Sequence, residues 1–453
     1  MFRHTEPVTR PLRLALLVAC ATPFLALHAQ GTPIALTLGD AARLAARQSL
    51  PTQGALLRAD AADTRVTQRR ADLLPNLSGT AETNSRTFNS ATLGLNFPTA
   101  PGQAPFFDPN GEVIGPVPTT DFRARLQQNI YDPSVNARLR LARQQAVATR
   151  SEASLVGEAS AAQAAVAYVR VLRAVAALDA RSADSALAAD LSRIARETLR
   201  AGTGIALDVT RAESQLVAIR SQLISARVER EKAMLDLQRA LNVPYDVPVR
   251  LTDGLDANDL ELPTAAVAMS TALAKRPELA LLEQQITSAQ LTGRAVRAER
   301  LPSVSAVADN GFIGKTIANP LNTWTWGVRV TVPAFDGGRR SARVREQSTV
   351  ERELETRRSD VVAQVGLDVR TALLDAAATR EATSAARERL ALAEQEVSQA
   401  RDRFTTGVSG NLDVTQALLA LSAARSQLVD ALASRHLARI SIARSQGALT
   451  SLR

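Results

Sequence analysis

The chain has 453 residues, only 3% of them aromatic, and a net charge of +9 that comes almost wholly from arginine. Its arginines are dispersed among acidic residues and form no stripe with interleaved aromatic residues, which argues against nucleic-acid binding. One cysteine and three histidines, two of them close to the N-terminus, predict neither a structural disulfide nor a metal cluster. Because glycine-rich phosphate loops and a nucleophile elbow are also missing from the sequence, we expect no cofactor and no enzymatic activity.

The N-terminus has the pattern of an export signal, with three arginines ahead of an apolar run over residues 14–27. We expect residues 1–29 to form this signal and to be removed after Ala29. Cys20 follows small residues inside the run, a pattern that also fits a lipoprotein processing site, so lipidation of Cys20 stays open. No other stretch approaches 18 consecutive apolar residues, so the sequence predicts no transmembrane helix in the mature chain.

Two similar units follow the signal, over residues 36–241 and 263–448, and we expect residues 242–262 to link them. Each unit contains, in order, a helix, a Leu-Pro break, two strands joined by a loop, a turn, a very long helix, a glycine turn and a helix with heptad periodicity. The strands of the first unit are expected near 76–84 and 121–131.

The strands of the second unit are expected near 303–311 and 323–333, and the last of these carries the clearest membrane signal. From Trp324 to Val332, Trp and Val residues alternate with Thr, Gly and Arg. One apolar and one polar face is typical of a barrel strand with lipid outside and water inside, although a soluble hairpin half-buried on a core also fits. In a membrane, four strands would leave unpaired edges, so chains must combine, and three chains supply twelve strands.

Very long helices are predicted over residues 135–200 and 339–404, each roughly 100 Å long at the rise of an α-helix. Rooted at membrane strands, helices of this length would project deep into the periplasm. The shorter helices expected near 55–74 and 278–300 would stack end to end on the returning heptad helices of their own unit.

The heptad helices are predicted over residues 207–241 and 412–448, and their apolar residues match at an offset of 205 residues. Such spacing indicates supercoiled helices with a packed seam. One arginine interrupts each seam, Arg230 in the first copy and Arg435 in the second. Either these side chains snorkel from the seam or they face a water-filled interior.

Ahead of each seam, a glycine precedes an aspartate by six residues, Gly202 before Asp208 and Gly407 before Asp413. We expect the glycine to end the long helix in a left-handed turn. Polar residues near Asn411 are expected to start the helix that follows.

Three motifs carry a family resemblance: the Leu-Pro-x-x-Ser starts of the strands, the Phe-Asp-Gly-Gly sequence after the last strand, and the Arg-Phe-x-x-Gly-x-x-x-x-x-Asp-Val turn at 403–414. With their paired spacing, residues 36–448 resemble the TolC-like outer-membrane factors of Gram-negative bacteria. The resemblance implies a mixed fold, a twelve-stranded membrane β-barrel above a long α-helical coiled-coil barrel. It also implies a homotrimer whose chains each contain two tandem structural repeats and contribute four strands.

The resemblance further implies a place and partners. The protein would lie in the cell outer membrane, in contact with outer-membrane lipid, with a long periplasmic extension. It would be the channel-tunnel of a tripartite efflux or type I secretion system, passively conducting substrates received from a periplasmic membrane-fusion adaptor and an inner-membrane pump of the RND or ABC type. A structural coiled-coil envelope protein that spans the periplasm without transport is the alternative.

Three residues are implied at the pore entrance. Asp413 and Asp208 match family positions where carboxylates from three subunits ring the channel, an arrangement that favours cations. Gln416 stands one turn on, where a second carboxylate is found in better-known members. Asp413 as a plain helix-start residue is the other reading.

The lock between neighbouring hairpins departs from the family pattern. Phe404 and Ser409 stand where a tyrosine and an arginine tie the hairpins closed. Arg403 or Arg401 could supply the missing guanidinium, a choice that the sequence leaves open.

The two glycine turns are implied to be the periplasmic tips that an adaptor contacts. Their residues are Ala201, Gly202, Thr203, Thr406, Gly407 and Val408. All six are small and uncharged, which suits close packing against another helical hairpin.

Overall fold

A computed structural model describes residues 34–93, 102, 108, 110–256, 262–406 and 408–452. In chain order the elements are β1 (Ile34–Leu36), α1 (Leu38–Gln48), α2 (Leu50–Ala71), β2 (Asn76–Asn89), β3 (Val113–Tyr131), α3 (Pro133–Arg200), α4 (Ala206–Leu241), β4 (Val249–Leu251), α5 (Ala265–Lys275), α6 (Pro277–Ala298), β5 (Ser303–Gly314), β6 (Leu321–Thr331), α7 (Arg339–Thr405) and α8 (Asn411–Ser445). The predicted signal segment 1–29, with Cys20 and Ala29, lies outside the described residues, as does Gly407.

An aspartate that follows a strand lies directly before α3 and three residues before α7. The side chain of Asp132 accepts hydrogen bonds from the backbone N–H groups of Ser134 and Val135, at 2.8 and 3.3 Å, and Pro133 occupies the first helical turn of α3. Asp336 accepts from the N–H of Arg340 at 2.9 Å, which lowers the pKa of its carboxyl. These caps satisfy N–H groups that a helix start would otherwise leave unpaired. With 68 and 67 residues, α3 and α7 are each about 100 Å long.

The larger sheet has four antiparallel strands in the order β2-β3-β5-β6. The strands contain 14, 19, 12 and 11 residues, where segments of 9, 11, 9 and 11 residues were expected. The difference has a physical reason, because β2 and β3 continue past the apolar segment as a paired hairpin that reaches Asn89 and Val113.

The register of this sheet separates apolar from polar side chains. Directly opposed residues share a face; Phe122 pairs with Phe312, and Ala308 pairs with Trp326 on the same face. The same face carries Leu77, Leu126, Trp324, Val328 and Val330. The opposite face carries Ser78, Arg123, Arg125, Asp309, Thr325 and Arg329. The large apolar side chains of the four strands thus lie mostly on one side of the sheet, which Gln128, Asn310 and Asn322 interrupt.

An arginine joins three strands on the polar face. The Arg123 guanidinium donates to Asp121 at 3.2 Å, to Asp309 on β5 at 2.5 Å and to Thr323 on β6 at 3.1 Å. Charge-assisted bonds of this kind hold strands in one register and require a polar surrounding.

The helices run side by side, with two shorter helices along each long one. Helices α2 and α4 pack against α3, while α6 and α8 pack against α7. The amide of Gln48 donates to the carbonyl of Leu241 at 3.0 Å, so α2 begins where α4 ends. Arg276 similarly donates to the carbonyl of Ser445 at 2.8 Å, so α6 begins where α8 ends. The pair α4 and α2 thus resembles one helix with an interruption, and so does the pair α8 and α6.

The heptad seam of α4 is buried at its two ends and more open between them. Leu216, Ile219 and Leu237 are buried, whereas Arg230 is exposed and pairs with the adjacent Glu231. Arg435, at the matching place on α8, is half-buried. The two arginines therefore differ in environment in spite of their matching sequence positions.

The largest apolar core lies midway along the helices and was not predicted from the sequence. Tyr168 of α3 is fully buried there; its hydroxyl donates to Leu36 at 2.9 Å and accepts from the N–H of Asp253 at 3.3 Å. Burial raises the pKa of Tyr168 to about 12. We call this region, which also includes α1 and the ends of α4 and α8, the equatorial core.

The described part of the predicted linker, residues 242–256, contributes to the equatorial core. Within it, Val249–Leu251 form strand β4, which pairs in parallel with β1. The side chain of Asp253 accepts from the N–H of Leu38 at 2.6 Å and so caps the start of α1. Residues 242–256 are therefore packed against the helices.

One described helix, α3, contains an 18-residue window with mean hydropathy 1.4, apolar and long enough to cross a membrane by composition. Half of that window is buried within the protein. The buried run of α3 from 161 to 174 packs in the equatorial core. Core helices pass the same compositional test as membrane spans, so packing accounts for this stretch.

His436 makes the equatorial core sensitive to acid. Its Nε2 lies 3.0 Å from the carbonyl of Leu255, its Nδ1 is buried without a partner among the described residues, and burial lowers its pKa below the ordinary 6.5. Arg435, Arg439 and Asp253 act on the same ring. The native state keeps the ring neutral while the unfolded chain takes up a proton, so stability is full above pH 6.5 and falls as the pH drops towards the native pKa.

We therefore expect the unfolding temperature of the purified protein to fall between about pH 7.5 and about pH 6. His436→Gln retains a donor for Leu255 but cannot titrate, so its unfolding temperature should stay level over that range. Circular dichroism on both proteins provides the measurement. An equal fall in both would show that another group is responsible.

Candidate functional site at the helical tips

The two tips, residues 201–205 and 406–410, have the same backbone hydrogen bonds. In the first tip, the N–H groups of Thr203 and Gly204 donate to the carbonyl of Thr198 at 3.1 and 3.0 Å. In the second, the N–H groups of residues 408 and 409 donate to the carbonyl of Arg403 at 2.9 and 3.2 Å. The same turn thus closes both hairpins.

Glycine is required by the backbone at the first tip. Gly202 has φ +78°, in the left-handed region that a side chain disfavours, and a β-carbon added there would meet no atom within 4 Å. The limit on this position is therefore backbone strain and not crowding. Its predicted counterpart, Gly407, lies outside the described residues.

The start of α8 differs from the expected polar cap. The residue before the helix is Gly410, which makes no side-chain cap bond. Asn411 instead is buried, and its amide donates to the backbone carbonyl of Asp208 at 2.9 Å. The helix begins at Asn411, as expected, but this side chain joins the two tips to each other and does not cap the helix.

The predicted pore carboxylates lie close to that bond. Asp413 is exposed in the first turn of α8, and Gln416 is exposed one turn later. Asp208 is half-buried in the first turn of α4, beside the Asn411 amide. The helix dipole also stabilises a carboxylate near a helix N-terminus. Each aspartate can therefore stabilise the start of its own helix without a second chain.

The residues expected to replace the hairpin lock have separate environments. Phe404 is buried against the seam of α8, in an apolar cluster that includes Val414 and Leu418. Arg401 reaches across to Asp190 of α3 at 2.8 Å. Arg403 is exposed and makes no ion pair among the described residues. Of the two arginines left open by the sequence, Arg401 is therefore the one that joins α7 to α3.

A buried carboxylate, missed by sequence analysis, joins the hairpins further from the tips. Asp184 of α3 is fully buried and accepts from Arg425 of α8 at 2.7 Å and from Arg181 at 3.3 Å. Arg181 also donates to Ser422 and, at 2.8 Å, to Ser426. The pattern Arg-x-x-Asp in a helix was the available signal, but the partner is 241 residues away.

In the described residues, no group of histidine, cysteine and acidic side chains could hold a metal ion. The predicted tip residues Ala201, Gly202, Thr203, Thr406 and Val408 are all exposed. The site in one chain is thus a surface of mostly small side chains with Asp208, Asp413 and Gln416 behind it.

The chain matches the family model described as outer membrane efflux protein over residues 43–243 and 268–448. It belongs to that family. Membership places the chain in the outer membrane.

Two curated relatives have names that point to transport. The chain is 24% identical over 233 residues to the alkaline protease secretion protein AprF of Pseudomonas aeruginosa, covering 50% of this chain and 48% of AprF. It is 26% identical over 243 residues to the outer membrane efflux protein BepC of Brucella suis, covering 53% of this chain and 52% of BepC. The aligned part thus spans about half the length of these relatives.

The fold is similar to that of the CmeC outer membrane channel of Campylobacter jejuni. The TM-score is 0.72 at 16% sequence identity, covering 91% of this chain and 85% of CmeC. The TolC-like channel fold implied by the sequence motifs is therefore confirmed at the level of a single chain.

The Asp184 cluster predicts a specific loss of stability. Asp184→Asn would leave two guanidinium groups beside a buried amide, and breaking a buried pair costs about 3–5 kcal/mol. We expect a clear drop in the unfolding temperature. Asp179→Asn, at an exposed position of the same helix, is the matched control and should leave it unchanged. Similar unfolding temperatures for the two variants would contradict a tying role for Asp184.

Proposed function

We propose that this protein is the outer-membrane channel of a tripartite efflux or secretion system and passes cargo to the outside without chemistry. The observation that carries the proposal is one four-stranded sheet, apolar on one face and polar on the other, rooted on helices about 100 Å long. Such a sheet fits lipid on one side and water on the other. The relatives' names include both protease secretion and efflux, so the proposal covers both kinds of system.

We infer a homotrimer from the edges of the sheet. β2 and β6 are edge strands, and in lipid the backbone groups on their outer sides need partners. Pairing β2 of one copy with β6 of the next closes a barrel, and three copies give twelve strands.

The helices support the same arrangement. Near the tips their order is α4, α3, α8, α7, and near the sheet it is α2, α3, α6, α7. Because α2 leads into β2 and α7 follows β6, each edge of the sheet continues into an edge of the helical layer. One copy therefore offers the same two edges along its whole length.

Exposed apolar side chains follow both helical edges. On α4 they are Val217, Ile224, Val228 and Leu235, at intervals of seven, four and seven residues. On α7 they are Leu367, Leu374 and Leu392. A heptad stripe on the side away from its own partner helix is what a second coiled-coil contact requires.

We propose that three Asp413 side chains ring the pore entrance of the trimer, with Asp208 behind them. The neutral Gln416 leaves this ring single, so its field is weaker than that of a doubled ring. Phe404 supports the hairpin from within its apolar cluster, and Arg403 lies exposed beside it.

We propose that a periplasmic membrane-fusion adaptor contacts the tips and connects the channel to an inner-membrane pump of the RND or ABC type. The exposed residues Ala201, Gly202, Thr203, Thr406 and Val408 support this, because small side chains allow another helical hairpin to approach closely. Gly407, between the last two, completes the proposed surface.

The trimer edge can be tested at Ile224. A carboxylate inside an apolar coiled-coil contact is not solvated, so Ile224→Asp should reduce the trimer to smaller species. Ser225→Asp adds the same charge at the next, exposed position and should leave the trimer intact. Light scattering of detergent-extracted protein measures the mass. Trimers of equal stability in both variants would exclude this edge as the contact.

Conductance in planar bilayers tests the channel and its gate together. The wild type should conduct, whereas a structural envelope protein should not. Asp413→Asn should weaken block by multivalent cations and lower cation selectivity, because the converging charges are removed. Asp402→Asn, at an exposed position of the same tip, is the control. If multivalent cations block the Asp413 variant as strongly as the wild type, Asp413 is not the gate, although the protein can still be a channel.

The tip contact can be tested at Gly202. A β-branched residue there strains the left-handed turn, so Gly202→Val should abolish export while a membrane-inserted trimer still forms. The same change at Gly407 is expected to act alike. Thr203→Ala and Thr406→Ala spare the turn and serve as controls. In-cell cross-linking from the tips should capture the adaptor; capture from the barrel end alone would place the partner elsewhere.

A further inference from the structure

We propose that the helix ends next to the sheet form a basic collar that binds the anionic, phosphate-bearing headgroups of lipids in the leaflet facing the periplasm. The collar consists of residues 62–72, 132–145, 290–300 and 336–348. These four segments of α2, α3, α6 and α7, with the turns that join them to the strands, lie within about 25 Å of the sheet. The inference rests on the proposed membrane position of that sheet.

Charge is concentrated in the collar. Its four segments contain 13 arginines and six acidic residues, a net charge of +7, against +9 for the whole chain. Further from the sheet the balance reverses, because residues 146–160 and 278–289 each contain more acidic than basic residues. The positive charge of the protein is thus a belt at one level of the structure, although along the sequence it looks dispersed.

Many of these arginines are exposed in the single chain. Arg343 pairs with Glu299 at 2.7 Å, and Arg340 with Asp336 at 3.5 Å. In the part of the chain that the structure describes, exposed collar arginines without an ion pair are Arg65, Arg70, Arg140, Arg143, Arg294, Arg297, Arg339 and Arg345. A guanidinium group that is not paired with a carboxylate of the protein can bind a phosphate group.

A cavity within the collar has a suitable size and lining. It lies between α6 and α7, has a volume of about 290 Å³, and is lined by Arg294, Arg297, Gln347, Ser348 and Glu351 among others. Guanidinium, amide and hydroxyl groups together can donate several hydrogen bonds to one phosphate. The cavity therefore offers a defined position for a headgroup within a broader basic surface.

The position of aromatic side chains favours lipid over a soluble anion. Tyr131 ends β3 and Phe335 follows β6, and these side chains are 55% and 89% exposed. Exposed aromatic residues at strand ends mark the boundary between hydrocarbon and headgroups. The collar begins immediately beyond them, at the level that lipid phosphates occupy.

Native mass spectrometry of the full-length trimer tests the collar. The protein is equilibrated with phosphatidylglycerol and phosphatidylcholine in equal amounts, and the lipids retained after detergent extraction are counted. The collar variant carries Arg294→Gln, Arg297→Gln, Arg339→Gln and Arg345→Gln. The control variant carries Arg47→Gln, Arg170→Gln, Arg239→Gln and Arg250→Gln, which remove four exposed arginines from the equatorial region.

Wild type and control should prefer phosphatidylglycerol, and the collar variant should lose at least about tenfold of that preference while still forming trimers. Equal retention by the collar and control variants overturns the proposal. Inorganic phosphate is tested on delipidated protein; binding of phosphate without retention of phosphatidylglycerol overturns it in favour of a simple anion site.

Conductance separates this proposal from the proposed channel. Loss of lipid retention with conductance and ion selectivity unchanged supports a collar that faces lipid. A change in anion permeability with lipid retention unchanged places these arginines on the conduit and overturns the lipid assignment. Failure of the wild type to conduct would instead count against the channel itself.

Discussion

Close packing against α3 is the constraint on which the rest of the protein depends. Five other helices contact it, namely α1, α2, α4, α6 and α8. Neighbours can approach on several sides because α3 buries many alanines, among them Ala146, Ala161, Ala165 and Ala188. Small side chains bury little apolar area each, so the many contacts of one long helix replace the large side chains of an ordinary core. The length of this helix sets the distance between the sheet and the tips.

Polar links between the hairpins are concentrated in the half of α3 nearest the tips. Asp184 with Arg425, Asp190 with Arg401, and the Asn411 amide with the carbonyl of Asp208 all join the first unit to the second. Apolar contacts in the equatorial core act over a large area without direction, whereas these bonds require particular positions. Near the tips, a few directional bonds therefore fix how the two hairpins lie against each other. Removing a single side chain would break any one of these bonds.

Local signals allowed much of the fold to be predicted from the sequence. The Asp-Pro and Asp-Gly turns, the heptads and the period-two alternation each act within a few residues, and the structure has helix starts, seams and strand faces at those places. The equatorial core escaped prediction because β1 and β4 have three residues each and pair across more than 200 positions. Asp184 and Asn411 escaped for the same reason, since their functions depend on partners in the other unit. The collar is visible only once four distant segments lie at one level.

The equal backbone turns at the two tips have a consequence for any trimer. A ring of three chains would present six turns that share these backbone hydrogen bonds but have two different sets of side chains alternating around the ring. Thr203 and Gly204 stand in one set where Val408 and Ser409 stand in the other. A partner with six identical hairpins would meet two kinds of socket and bind three of its copies differently from the other three. One polypeptide would thus make contacts of two different strengths with such a partner. The weaker half of the contacts could then open while the stronger half stay closed.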